Sequence, residues 1–214
     1  MLEKILVFCA HPDDQVFGPG GTLIKYAKEG KDITIVIFTK GENSHPWLKE
    51  EVITKIRESE NEKVDKIIGT NITIFLGLKD TNISKDAEEN NTLDKVKNLI
   101  QEFKPNKIFT HTLADPVPDH KAVNKIVRTA FDELQPNSDL YTFDVWNILN
   151  SRETKHPKLV VDISKTFKKK IHALKTFKSQ KNTLFWLLWS VYFRAIYNGL
   201  KNNYKYAEVF YKIR

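Results

Sequence analysis

The chain has 214 residues, 41 % of them hydrophobic and 29 % charged, with a formal net charge of +7 and a pI near 9.2. These are globular values with enough chain for a substantial core, and no segment has the length of apolar sequence that spans a bilayer. The lone cysteine, Cys9, excludes an intrachain disulfide framework and thiolate-rich zinc sites, and the scattered lysines form no recognised nucleic-acid module, so nucleic acid is not an expected partner.

The amino-terminal residues run directly into an apolar segment without the zones of a secretory signal, which predicts a cytoplasmic location. Strand-like runs at 5–10, 33–39, 72–76, 107–112 and 140–145 alternate with helical patterns at about 21–29, 47–68, 93–103 and 120–134. This alternation predicts an α/β fold: a single Rossmann-like domain over 1–214, with a mostly parallel sheet, helices on both faces and right-handed crossovers. Residues 80–93, with Asn90-Asn91 and several acids, read as a surface loop.

The pattern changes at Leu159, where a short strand (159–163), a lysine-rich helix and an aromatic run (184–193) form a carboxyl-terminal extension, 159–214, of the same domain. The aromatic run is too short to cross a membrane. It is read as a core or homo-oligomer contact, or as a peripheral membrane contact in which Lys175, Lys178, Lys181, Arg194 and Lys201 complement anionic headgroups.

In such a fold the loops at the carboxyl ends of the strands form the ligand crevice. His11-Pro12-Asp13-Asp14 follows the first strand, Lys40-Gly41-Glu42-Asn43 the second, Gly77-Leu78-Lys79-Asp80 the third, and the stretch from His111 to His120 the fourth. An imidazole and two carboxylates within four residues, with Pro118-Asp119-His120 opening a later helix, suit a zinc ion that keeps one open coordination position. The expected ligands are His11, Asp14 and His120, with Asp13 as the base that takes the proton of the attacking water and Asp115 as hydrogen-bond partner to a ligand histidine. Gly20 and Gly21 let the backbone pass close to its neighbours. A phosphate-loop reading of Gly18-Pro19-Gly20-Gly21 fails because the glycines have neither Walker spacing nor the full dinucleotide fingerprint.

At Ala10-His11-Pro12-Asp13-Asp14 the chain resembles the LmbE-like or PIG-L-like zinc-dependent de-N-acetylases, whose signature reads AHPDDE. The resemblance continues through Gly20-Gly21-Thr22-Leu23, Thr39-Lys40-Gly41-Glu42, Arg57-Glu58-Ser59-Glu60, Phe75 to Asp80, Phe109-Thr110-His111, Asp115, Pro118 to Val123, Ser179-Gln180 and Tyr206 to Phe210. It implies removal of an acetyl group from an N-acetylglucosamine-type sugar or glycoconjugate. The family's ligand pattern falls on His11, Asp14 and His120, with Asp13 as catalytic base and Zn2+ as cofactor. It also implies substrate contacts from Arg57, Asp80 and Glu42, and supporting roles for Gln15, Asp115 and His111.

Two positions depart from the family pattern. Gln15 stands where the signature has glutamate, keeping size and hydrogen-bonding capacity without the charge, and Val117 stands where the typical His-Pro-Asp-His motif has its first histidine. The family's histidine there stabilises the oxyanion or protonates the leaving amine, and valine does neither. His111 and His45 are the expected replacement donors. The alternative is a catalytically degenerate relative that binds metal and sugar.

Overall fold

The computed structural model describes residues 2–45, 47–147 and 155–214. Among these residues, seven strands form one sheet in the order β3-β2-β1-β4-β5-β7-β6. In chain order they are β1 Lys4–Cys9, β2 Asp32–Thr39, β3 Ile72–Leu78, β4 Lys107–His111, β5 Asp139–Phe143, β6 Lys158–Asp162 and β7 Ala207–Lys212. The helices are α1 Asp14–Phe17, α2 Gly20–Lys28, α3 Glu50–Ile68, α4 Ile83–Glu89, α5 Thr92–Phe103, α6 Pro118–Leu134, α7 Phe167–Thr176 and α8 Lys181–Lys201.

The unbroken apolar runs of β1 and β2 arise because both faces of the central strands are covered. Ile5, Val7 and Cys9 point into one cluster with residues of α2, α3, α7 and α8, while Leu6, Phe8 and Ala10 point into another with residues of α4, α5 and α6. Strands β3, β2, β1, β4 and β5 pair in parallel, and β7 pairs antiparallel with both β5 and β6. The expected mostly parallel sheet with helices on both faces is therefore present.

Two elements depart from the sequence reading. The expected loop at 80–93 contains α4, which buries Ile83 and Ala87 against the second cluster. Strand β7 was not anticipated because its buried Glu208 interrupts the apolar alternation by which a strand is recognised.

Glu208 has a structural task there. Its two carboxylate oxygens accept from the amides of Gly21 (2.9 Å) and Thr22 (2.8 Å), and Lys170 Nζ donates to Oε1 (2.6 Å) and to the carbonyls of Phe17 and Gly18. The extension thereby grips the turn that follows β1. A side chain at position 21 would put its Cβ 2.8 Å from Ile163 Cδ1 and 2.9 Å from Glu208 Oε1, so this close approach requires glycine.

Strand order reverses at β1, whose neighbours are β2 on one side and β4 on the other. The connections leaving β1 and β4 depart in opposite senses and open a crevice beyond their carboxyl ends.

Candidate metal centre and its cavity

Beyond β1 the chain folds back on itself, with the amides of Asp13 (2.9 Å) and Asp14 (3.3 Å) both directed at the His11 carbonyl. The His11 amide donates to Asp14 Oδ2 at 2.8 Å, which draws this carboxylate under the imidazole. Beyond β4, Pro118 occupies the first turn of α6, where its missing amide hydrogen costs nothing, and brings His120 inward. His120 Nε2 lies 3.4 Å from Asp14 Oδ1, and the His11 and His120 rings are 5.4 Å apart. His11, Asp14 and His120 each offer a ligand atom within 4.8 Å of the others, an arrangement able to hold a divalent cation.

Asp115 is fully buried, and its oxygens accept from the amides of Val117 (3.1 Å) and Trp146 (3.2 Å). Its Oδ1 lies 3.0 Å from His120 Nδ1. The structure thus brings Asp115 to the histidine it was expected to orient.

A second trio, His11, Asp80 and Asp119, shares the same imidazole: His11 Nε2 is 3.1 Å from Asp80 Oδ1 and 3.4 Å from Asp119 Oδ2. The sequence reading gives Asp119 no role of its own beyond its place in Pro118-Asp119-His120. Its Oδ2 instead accepts from the amide of Thr81 at 2.7 Å, tying the loop after β3 to the start of α6 beside His11. Its position inside Pro-Asp-His was the only available signal.

Five buried aspartates, at 13, 14, 80, 115 and 119, face one guanidinium and three imidazoles. Burial disfavours charge on His11, but contacts with Asp119, Asp14 and Asp80 outweigh it and hold this imidazole well above its ordinary pKa. At His120, burial is likewise overcome by Asp14 and Asp115, and the pKa rises to about 9. A buried cluster that draws protons onto its histidines has an excess of negative charge, which a divalent cation would neutralise. The donor set fits zinc, with two imidazoles and one carboxylate.

Burial raises Asp13 above the usual carboxylate range, although the Arg57 guanidinium opposes the shift. Arg57 Nη2 lies 3.5 Å from Asp13 Oδ2, and the buried Nε and Nη1 of Arg57 have no hydrogen-bond partner among the described residues. Gly41, at φ +68°, makes room for this side chain, since a Cβ there would stand 2.7 Å from Arg57 Nε. His11, Asp13, Asp14, Arg57, Asp80, Asp119 and His120 open onto one cavity of about 400 Å³, whose apolar wall includes Val117, Val145, Trp146 and Leu187.

Other expected residues stand off the cavity wall. Glu42 does not line the cavity; its Oε1 accepts from the Asp80 amide at 2.7 Å and so holds that loop. Gln15 is buried and donates to Asn61 Oδ1 at 2.7 Å, which in turn donates to Asp65, a network leading into α3. The expectation that His111 or His45 faces the crevice is not met. His111 is fully buried and stacked on His120 at 3.9 Å, with Nε2 accepting from the Ala10 amide, and burial lowers its pKa to about 4, so it is neutral. His45 Nε2 is held 2.6 Å from the Ser179 carbonyl.

Residues 6–131 match the family model described as PIG-L: GlcNAc-PI de-N-acetylase. The chain is 27 % identical over 192 residues to a Bacillus cereus protein described as "Probable N-acetyl-alpha-D-glucosaminyl L-malate deacetylase 2", with 86 % of each chain covered. It is 28 % identical over 225 residues to the diacetylchitobiose deacetylase of Thermococcus kodakarensis, covering 97 % of this chain and 82 % of that one. Among solved structures, the conserved protein TT1542 from Thermus thermophilus shares the fold with a TM-score of 0.84 at 22 % identity, covering 100 % of this chain and 96 % of the other.

Proposed function

Because the chain belongs to the PIG-L family, the GlcNAc-PI de-N-acetylases, we propose that it is a metal-dependent amidohydrolase that removes the N-acetyl group from an N-acetylglucosamine-type sugar or glycoconjugate. The observation that carries this reading is the meeting of His11, Asp14 and His120 within 4.8 Å beside Asp13, in a cavity that also holds the Arg57 guanidinium, whose Nε and Nη1 have no hydrogen-bond partner among the described residues. Zinc is the metal we assign, with His11, Asp14 and His120 as its ligands. When bound, it would polarise the amide carbonyl and make water more acidic.

The rest of the reaction belongs to the chain's own side chains. Asp13, with its pKa raised by burial, accepts a proton from the water that attacks the carbonyl carbon. The same carboxyl then returns the proton to the sugar nitrogen as the carbon–nitrogen bond breaks, so acetate and a free amine leave. Arg57 keeps Asp13 in place through Nη2, and its remaining donors suit a phosphate or carboxylate on the substrate. Asp80 suits sugar hydroxyls. The apolar wall from Val145, Trp146 and Leu187 favours a substrate with a nonpolar portion beside the sugar.

We take 1–214 as one deacetylase domain, with 159–214 its extension, because β6 and β7 continue the same sheet. Among the described residues no helix is long and apolar enough to cross a membrane. A cytoplasmic address completes the reading.

A second reading, a relative that binds metal and sugar but turns over poorly, is favoured by Val117 on the cavity wall. Acetate release from a panel of N-acetylglucosaminyl conjugates, with the metal content of the purified protein measured alongside, separates the two. The first reading expects stoichiometric zinc and turnover that falls by at least about a hundredfold in Asp13→Asn. Stoichiometric zinc without turnover on any conjugate supports the second, and protein that takes up no divalent metal overturns both.

A further inference from the structure

We propose that the outward face of α8 is a docking surface for an anionic lipid bilayer. The inference goes beyond the hydrolytic reading and does not depend on it.

Helix α8 has two apolar sides. Leu187, Val191, Ala195 and Gly199 pack inward. Phe185, Trp189, Phe193, Ile196 and Leu200 recur at three- and four-residue spacing on the outside, and Phe185 and Leu200 are each 74 % exposed. The stripe runs for about 22 Å at 1.5 Å per residue, and Trp186 widens it at 66 % exposure. An exposed apolar surface of this extent marks a contact site.

Charge identifies the occupant. Residues 163–207 contain nine lysines, all exposed except Lys170, with one arginine and no aspartate or glutamate, whereas the rest of the chain carries more acids than bases. Lys181 lies four residues before Phe185 and eight before Trp189, on the same helical row, and Lys178, Lys201 and Lys205 stand exposed at the two ends of the helix. Aromatic side chains bordered by lysines suit the boundary between headgroups and acyl chains of an anionic membrane. A twofold contact with a second copy would instead bring two copies of this basic, acid-free helix together.

The surface adjoins the cavity. Thr183 and Leu187 of the same helix line it, and Trp146, also in its wall, is 39 % exposed. Docking through α8 therefore holds the cavity close to the headgroup layer.

Sedimentation of the full chain with phosphatidylcholine vesicles, with and without about 30 mol % phosphatidylglycerol, tests the proposal, with tryptophan fluorescence as a second readout. Expected are at least roughly tenfold tighter partitioning to the anionic vesicles, release by about 0.5 M salt and a blue-shifted emission. Phe185→Ser with Trp189→Ser should lower partitioning at least about tenfold while circular dichroism and turnover of a water-soluble substrate stay unchanged. Lys181→Glu with Lys201→Glu, which leaves the aromatic stripe in place, should produce a loss of roughly tenfold or more. Equal partitioning to both vesicles, or none to either, overturns the proposal. A stable oligomer in light scattering that Phe185→Ser with Trp189→Ser dissociates would also overturn it, by showing that a second copy covers the face. None of these binding readouts requires catalysis, so a failure here leaves the hydrolytic reading standing.

Discussion

Nδ1 of His120 stands 3.0 Å from Oδ1 of Asp115, a carboxylate with no solvent exposure. Because the same oxygen accepts from the Val117 amide and its partner oxygen from Trp146, the position of Asp115 is fixed by the backbone on both sides of the cavity. The imidazole is thereby turned so that Nε2 faces Asp14. Asp115→Asn keeps the shape and removes the charge that makes the imidazole a stronger donor to metal. Affinity for zinc, measured by competition with a chelator, should fall by about 10- to 100-fold. An unchanged affinity would show that the loop alone sets the ring.

At the proposed site, metal and protons would compete for the same nitrogens. In the metal-free protein the folded-state pKa of His120 is raised to about 9, with burial opposing and Asp14 and Asp115 prevailing, against an ordinary value of 6.5. Its protonation therefore stabilises the metal-free fold fully below pH 6.5, and this contribution is lost as pH rises through about 9. A zinc ion held by His120 would displace that proton, so affinity should climb about tenfold per pH unit for each proton released up to about pH 9. Calorimetry of zinc binding in buffers of different ionisation enthalpy counts the protons. A pH-independent affinity between 7 and 9 would exclude His120 as a ligand.

The parts of this molecule that were legible in its sequence are those in which one physical demand determines the pattern. The runs around Leu6 and Val36 had to be apolar throughout because both faces are covered, and His11 to Asp14 carry their chemistry within four consecutive residues. Strand β7 was hidden because Glu208 meets the amides of Gly21 and Thr22, which are 187 and 186 residues away. Asp119 was underread for the same reason: its approach to His11 spans 108 residues and depends on how α6 meets the loop after β3. The directions of His111 and His45 were set by the Ala10 amide and the Ser179 carbonyl, partners that no local pattern announces.

Val117 caps the start of α6 and lines the cavity, at the position where the resemblance led us to expect a histidine. With His111 buried beneath His120 and His45 held by Ser179, neither supplies the missing donor. Val117→His should therefore raise kcat by roughly tenfold or more with little change in KM, since one oxyanion donor is typically worth about a hundredfold. Steady-state kinetics on a substrate already turned over by the wild type decides the matter. No gain in kcat from a folded, zinc-loaded variant would mean that another group already performs this task.

The Lys170–Glu208 pair makes a prediction about the frame that holds the site. Nζ and Oε1 are 2.6 Å apart with both side chains buried, and together they satisfy two carbonyls and two amides in the turn between α1 and α2. Burial lowers the Lys170 pKa, and the Glu208 carboxylate opposes the loss of its charge. Lys170→Met would leave that carboxylate in the interior without its cation and strip the carbonyls of Phe17 and Gly18 of a donor. The expected cost is about 3–5 kcal/mol in denaturant unfolding. Adding Glu208→Gln removes the stranded charge, so the double variant should lose less than the sum of the two single losses. Strict additivity would show that the two side chains serve the turn independently, each through its own backbone bonds.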